Sequence, residues 1–203
     1  MEKRKILIYG DSNTYGYDPA DFFENRYPAG ERWTDILQVK LKDSWEVLPE
    51  GLNGRQLPDL KYDRSWILRM LDRLSGNDLF AVMLGTNDIL VTMEPDASEV
   101  IRKMQAFLVF LTETETLDAG NILVIAPPYV AGGRIRHPVY QHYCEQSVRM
   151  NEGFGELAAS FGTLFLDAGL WGIDLSPDMV HFSAKGHKTF AEKLSAFLGG
   201  LTE

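Results

Sequence analysis

The chain has 203 residues, 45% of them hydrophobic and 24% charged, which suits a single folded domain over residues 1–203 and excludes a disordered or collagen-like polymer. Twenty Lys and Arg against 29 Asp and Glu give a net charge of −9, the wrong sign for a polyanion, so no nucleic-acid partner is expected. The one cysteine, Cys144, excludes an intrachain disulfide and a cysteine zinc cluster.

Residues 5–9 read as a buried strand closing at Gly10. This apolar run is too short for the core of a secretory signal, and no later stretch approaches the ~20 apolar residues of a membrane span. The expected location is therefore the cytoplasm. Residues 33–41 have loose helical spacing, and residues 45–48 form a weaker strand that ends near Gly51. Trp66, Ile67, Met70, Leu71 and Leu74 make an apolar stripe at helical spacing. A third strand covers residues 79–84 and stops at Gly85. Val100, Ile101, Met104, Phe107, Leu108 and Leu111 form a second stripe. Residues 121–126 are a fourth strand, halted by Pro127-Pro128, and residues 144–161 have helical spacing. A fifth strand, residues 163–166, ends at Asp167, and Phe190, Ala191, Leu194, Phe197 and Leu198 mark the last helix. Continuous apolar runs separated by amphipathic helices predict an α/β fold, a three-layer α/β/α arrangement around a flavodoxin-like five-stranded parallel sheet.

Two connections are longer than this pattern requires. Residues 13–31 carry Tyr15, Tyr17, Phe22, Phe23, Tyr27 and Pro28, and residues 127–138 carry Gly132, Gly133, Arg134, Arg136 and His137. Both follow strands and so rim the carboxyl end of the sheet, where open parallel sheets bind ligands. The aromatic residues of the first loop suit either a local core or substrate contact.

Four segments at strand ends or turns carry reactive side chains. They are Gly10-Asp11-Ser12-Asn13-Thr14, Gly51-Leu52-Asn53-Gly54, Gly85-Thr86-Asn87-Asp88 and Asp178-Met179-Val180-His181. Acyl transfer requires a nucleophile, a base, a group that orients the base, and donors for an oxyanion. Ser12 in a tight turn suits the nucleophile and His181 the base. Asp178, three residues before His181, can reach the ring nitrogen remote from Ser12. The N–H groups of Ser12 and Gly54 and the side-chain amide of Asn87 are the candidate oxyanion donors. Each segment alone has a plainer reading, as a helix cap, a turn or a structural histidine.

Taken together, the segments resemble the four motif blocks of the SGNH hydrolases, the GDSL-type esterases and lipases. The resemblance runs from Ile6 to the last helix. It implies the SGNH hydrolase fold, with Ser12, Asp178 and His181 as catalytic residues and Ser12, Gly54 and Asn87 as the oxyanion hole. Asn13 stands where many members have Leu, a variation expected not to touch the catalytic roles. A closer resemblance, to the aryl-esterase/acyltransferase subgroup, rests on residues 10–17, Arg32-Trp33-Thr34, residues 50–55 and residues 83–88. It implies a serine esterase that hydrolyses short-chain acyl esters or transfers their acyl group to another alcohol. It also implies homo-oligomers.

The supporting residues are read more plainly. Arg32 and Arg55 are expected to form structural salt bridges, Asp11 and Asp88 to cap or support, and Cys144 to be an inert thiol. His137, His142 and His187 have no partners at metal-ligand spacing, so no metal is expected, and the spacing of Gly10 and Gly16 is not a dinucleotide fingerprint, so no cofactor is expected. Carbohydrate O-deacetylase, thioesterase and lysophospholipase activities use the same machinery and stay open. A catalytically inactive flavodoxin-like binding module is the alternative of another class.

Overall fold

A computed structural model of the chain describes residues 3–21, 26–114, 116–133 and 138–201. Phe22 and Phe23 of the first long loop, and Arg134, Arg136 and His137 of the second, lie outside the described residues. Five parallel strands form one sheet: β1 (Arg4–Gly10), β2 (Trp45–Gly51), β3 (Leu79–Met83), β4 (Ile122–Ala126) and β5 (Leu164–Asp167). Their order, β2-β1-β3-β4-β5, is the flavodoxin-like order, in which the chain reverses direction across the sheet between β1 and β3.

The helices are α1 (Ser12–Tyr15), α2 (Trp33–Lys40), α3 (Leu60–Leu71), α4 (Thr86–Leu90), α5 (Ala97–Thr112), α6 (Pro138–Phe161) and α7 (Ala184–Gly200). Alternating residues of each central strand feed two separate cores. Leu7, Phe80, Val82 and Val124 pack against Ile67, Met70, Met104, Phe107 and Phe154 of α3, α5 and α6. Ile6, Ile8, Ala81, Leu123 and Ile125 pack against Trp33, Leu37, Phe190 and Leu194 of α2 and α7. Every residue of β3 and β4 is buried, so their apolar runs are continuous. Among the described residues, no helix is long and apolar enough to cross a membrane.

One detail differs from the sequence reading. Trp66 is 47% exposed, because Ile67, Met70 and Leu71 already fill the inward stripe of α3; its ring lies under the Arg69 guanidinium instead. Strand β2 runs through Pro49 to Gly51, the end read from the sequence. It is an edge strand bonded only to β1, and an edge tolerates the missing N–H of proline.

Candidate active site

The ends of β1, β2 and β3 and the loop before α7 meet at the carboxyl edge of the sheet. Strand β1 leads directly into α1, a single helical turn whose first residue is Ser12. Buried Asp11 caps it, accepting a hydrogen bond from the Asn13 N–H at 2.9 Å. Ser12 is itself largely buried, and its N–H opens the helix, where no earlier turn supplies an acceptor. The turn sits so close to β2 that a Cβ on Gly51 would lie 2.2 Å from the Tyr15 nitrogen. Only glycine at 51 allows this contact.

His181 arrives on a loop that closes on itself. The Ser176 N–H donates to the His181 carbonyl at 2.7 Å, the Ser183 N–H to the Asp174 carbonyl at 3.0 Å, and Leu175 bridges to Phe182. Within the loop, Asp178 Oδ1 accepts from the N–H groups of Val180 and His181, both at 3.0 Å. Its other oxygen lies 2.6 Å from His181 Nδ1. On the far side of the ring, His181 Nε2 is 2.9 Å from Ser12 Oγ. Burial pushes the Asp178 carboxyl up, but the hydrogen bonds from the His181 ring and from the two N–H groups outweigh it and hold it below its ordinary value. Asp178 is therefore ionised at neutral pH. That places the imidazole proton on Nδ1 and leaves Nε2 to accept from the Ser12 hydroxyl.

Ser12, Tyr17, Asn53, Gly54, Asn87 and His181 line one cavity of about 310 Å³. The Tyr17 ring lies against the His181 imidazole with centroids 4.5 Å apart. Gly54 has φ +74, a left-handed conformation that favours glycine, in an exposed turn. The Asn87 amide donates one N–H to the Arg55 carbonyl at 3.0 Å, and its second N–H remains for the cavity. The structure thus brings Ser12, Gly54, Asn87 and His181 around one space, with Asp178 behind the ring.

The supporting residues depart from expectation in places. Arg32 does pair with a carboxylate, Asp35, at 2.7 Å. Arg55 forms no salt bridge among the described residues. Its guanidinium donates to the carbonyls of Gly10 and Glu50 and lies 4.3 Å above the Tyr9 ring, so it ties the ends of β1 and β2 together. Asp88 is buried and accepts from the Leu57 N–H at 2.9 Å and from Lys103 Nζ at 2.8 Å, bracing the segment that follows Gly54. Asn13, read as a variation outside the catalytic roles, bonds through its amide to the backbone on both sides of His181. Burial raises the Asp11 carboxyl to about 6, against the lowering effect of the Asn13 N–H and the His181 charge.

Three residues of the site carried little signal in the sequence. Tyr17 was one of several aromatic residues in a long loop, Gly51 one of many turn glycines, and Met179 gave none. Met179 has φ 64, a strained value for a side chain with a Cβ, two residues before His181. A second cavity of about 250 Å³ is lined by Tyr129, Gly169, Asp174 and Met179 among others. Among the described residues, no three His, Cys, Asp or Glu side chains gather as metal ligands would.

The sequence profile of the GDSL-like Lipase/Acylhydrolase family matches residues 8–189. The chain belongs to that family. This GDSL-like hydrolase is similar in structure to a protein assigned as an arylesterase from Agrobacterium tumefaciens str. C58, with 29% identity, a TM-score of 0.78, and coverage of 97% of this chain and 99% of that one. A carbohydrate acetylesterase from Sinorhizobium meliloti, 24% identical over 98% of this chain and 100% of that chain, shares the fold with a TM-score of 0.74. The aryl esterase of M. smegmatis, 23% identical over 98% and 99% of the two chains, does so with a TM-score of 0.76. No curated protein matches the chain. The fold and the family make this GDSL-like hydrolase a carboxylic ester hydrolase.

Proposed function

We propose that this esterase cleaves short-chain acyl esters with Ser12 as its nucleophile, His181 as base and Asp178 as the group that orients the base. The observation that carries the reading is the unbroken chain from Ser12 Oγ to His181 Nε2 at 2.9 Å and from His181 Nδ1 to Asp178 Oδ2 at 2.6 Å. As Ser12 Oγ attacks the ester carbonyl, its proton moves to His181 Nε2, and the ionised Asp178 stabilises the imidazolium. The carbonyl oxygen becomes an oxyanion, held by the N–H groups of Ser12 and Gly54 and the second amide N–H of Asn87. His181 returns its proton to the leaving alcohol oxygen as the C–O bond breaks, leaving an acyl-Ser12 ester. Water then attacks that ester with His181 again as base, and the acid departs as Ser12 regains its proton. An alcohol that enters in place of water gives acyl transfer by the same steps.

The short acyl group is supported by the size of the cavity and by the Tyr17 ring that closes one side of it. The likeness to a protein assigned as an arylesterase supports small soluble esters as substrates. A cytoplasmic setting suits a chain with a single cysteine.

Hydrolysis of p-nitrophenyl acetate, butyrate and octanoate by the wild type and by Ser12→Ala tests the proposal. The expected result is activity confined to the wild type and falling from acetate to octanoate. Equal rates for the two proteins would remove Ser12 from the mechanism, and a preference for octanoate would refute the small acyl pocket.

A further inference from the structure

We propose that Asn13 is a positioning residue that sets the distance between Ser12 and His181 by clamping the backbone on both sides of the histidine. The proposal rests on the reading of Ser12 and His181 as nucleophile and base.

Asn13 is 4% exposed, and all four of its polar groups are bonded. Its N–H donates to Asp11 Oδ1 at 2.9 Å, and its carbonyl accepts from the Trp33 indole N–H at 2.8 Å. The main chain next to Ser12 is thereby fixed from both sides. The side chain reaches across to the other segment. Asn13 Nδ2 donates to the Val180 carbonyl at 3.2 Å, and Asn13 Oδ1 accepts from the Phe182 N–H at 2.9 Å. Val180 and Phe182 are the two neighbours of His181, in a segment 169 residues from Ser12 in the chain.

The clamp requires this side chain. A primary amide of this length offers one donor and one acceptor to a donor–acceptor pair of the backbone. Leu would offer neither and would leave a carbonyl and an N–H without partners beside a buried side chain. An unrestrained loop would also have reason to shift. Met179 is held at φ 64, a strained conformation persists only where the surroundings fix it, and besides Asn13 the Ala131 N–H holds the loop tip by donating to the Met179 carbonyl at 2.9 Å. Proton transfer between Ser12 and His181 is sensitive to displacements of about half an ångström, so the clamp acts on the chemical step rather than on substrate affinity.

The test compares wild type, Ser12→Ala, Asn13→Leu and Asn13→Asp. Measured are kcat and KM for p-nitrophenyl acetate, the rate of fluorophosphonate labelling, and cooperative thermal unfolding as a check of folding. Asn13→Asp is nearly isosteric and keeps the acceptor for Phe182, so it decides the matter if Asn13→Leu does not fold. The expected result is a fall in kcat of about 10–100-fold in the folded variants, with KM within about twofold of wild type and labelling slowed by a similar factor. A folded Asn13 variant with kcat within about twofold of wild type would overturn the proposal, as would a loss that resides in KM. Wild-type activity equal to that of Ser12→Ala would instead overturn the underlying reading of the site, so the two failures are distinct.

Discussion

Asp178 and Asn87 act, in this account, at different moments of the same reaction, and their substitutions should separate. Asp178 fixes the tautomer of His181 and carries no part of the oxyanion. Asp178→Asn keeps the shape but offers the ring an ambiguous partner, and kcat should fall by roughly 10⁴. Asn87 contributes one oxyanion donor of three, so Asn87→Ala should lose roughly 10²–10³ in kcat and still be labelled by a fluorophosphonate. Steady-state kinetics on p-nitrophenyl acetate check both. The sequence carried Ser12, Asn87, Asp178 and His181 openly, because each sits in a short motif at a strand end or turn. It did not reveal what Asn13, Arg55 and Asp88 do. Their partners are backbone groups or side chains brought near by folding, such as Val180, Phe182, Gly10 and Leu57, and spacing along the chain says nothing about them.

At the scale of elements, the site depends on how closely the α1 turn rests on the end of β2. Gly51→Ala would drive a methyl group into the Tyr15 backbone, which has no flexible side chain to yield. The expected cost is about 1–3 kcal/mol, read as a lowered unfolding midpoint, together with reduced kcat because the turn carries Ser12. Strands β3 and β4 were legible as apolar runs because both of their faces are covered. Edge strands were less so. β2 mixes buried and exposed positions and carries Pro49, so its apolar run reads as short and weak. The stripe read for α3 included Trp66, one position beyond the inward face, where a cation on Arg69 satisfies the exposed ring. The start of α6, six residues before the expected one, follows a segment whose glycines and prolines give no helical period.

Across the whole molecule, two buried titrating groups pull stability in opposite directions with pH. His187 of α7 is fully buried, and its Nδ1 accepts from the Trp33 N–H. Burial, aided by the Arg32 charge, lowers it from 6.5 to about 4. The unfolded chain therefore binds a proton that the folded chain refuses between these values, so stability falls as pH drops from about 6.5 to about 4. Asp11, raised from 3.8 to about 6, has the opposite effect, since the folded chain holds its proton over that range and gains stability as pH falls. His187→Gln removes the first contribution alone. Urea denaturation between pH 7 and pH 4 should show the variant gaining on the wild type by up to about 3 kcal/mol. An unchanged difference across that range would mean that His187 takes up its proton as readily folded as unfolded.

Ser12 as an activated nucleophile is the claim on which the rest depends. Intact-mass analysis with peptide mapping after brief exposure to a fluorophosphonate tests it most directly, in the wild type, Ser12→Ala and His181→Ala. The expected result is one adduct per wild-type chain, located on Ser12, no adduct on Ser12→Ala, and strongly slowed labelling of His181→Ala. An unlabelled wild type, an adduct on another residue, or labelling indifferent to His181 would contradict it.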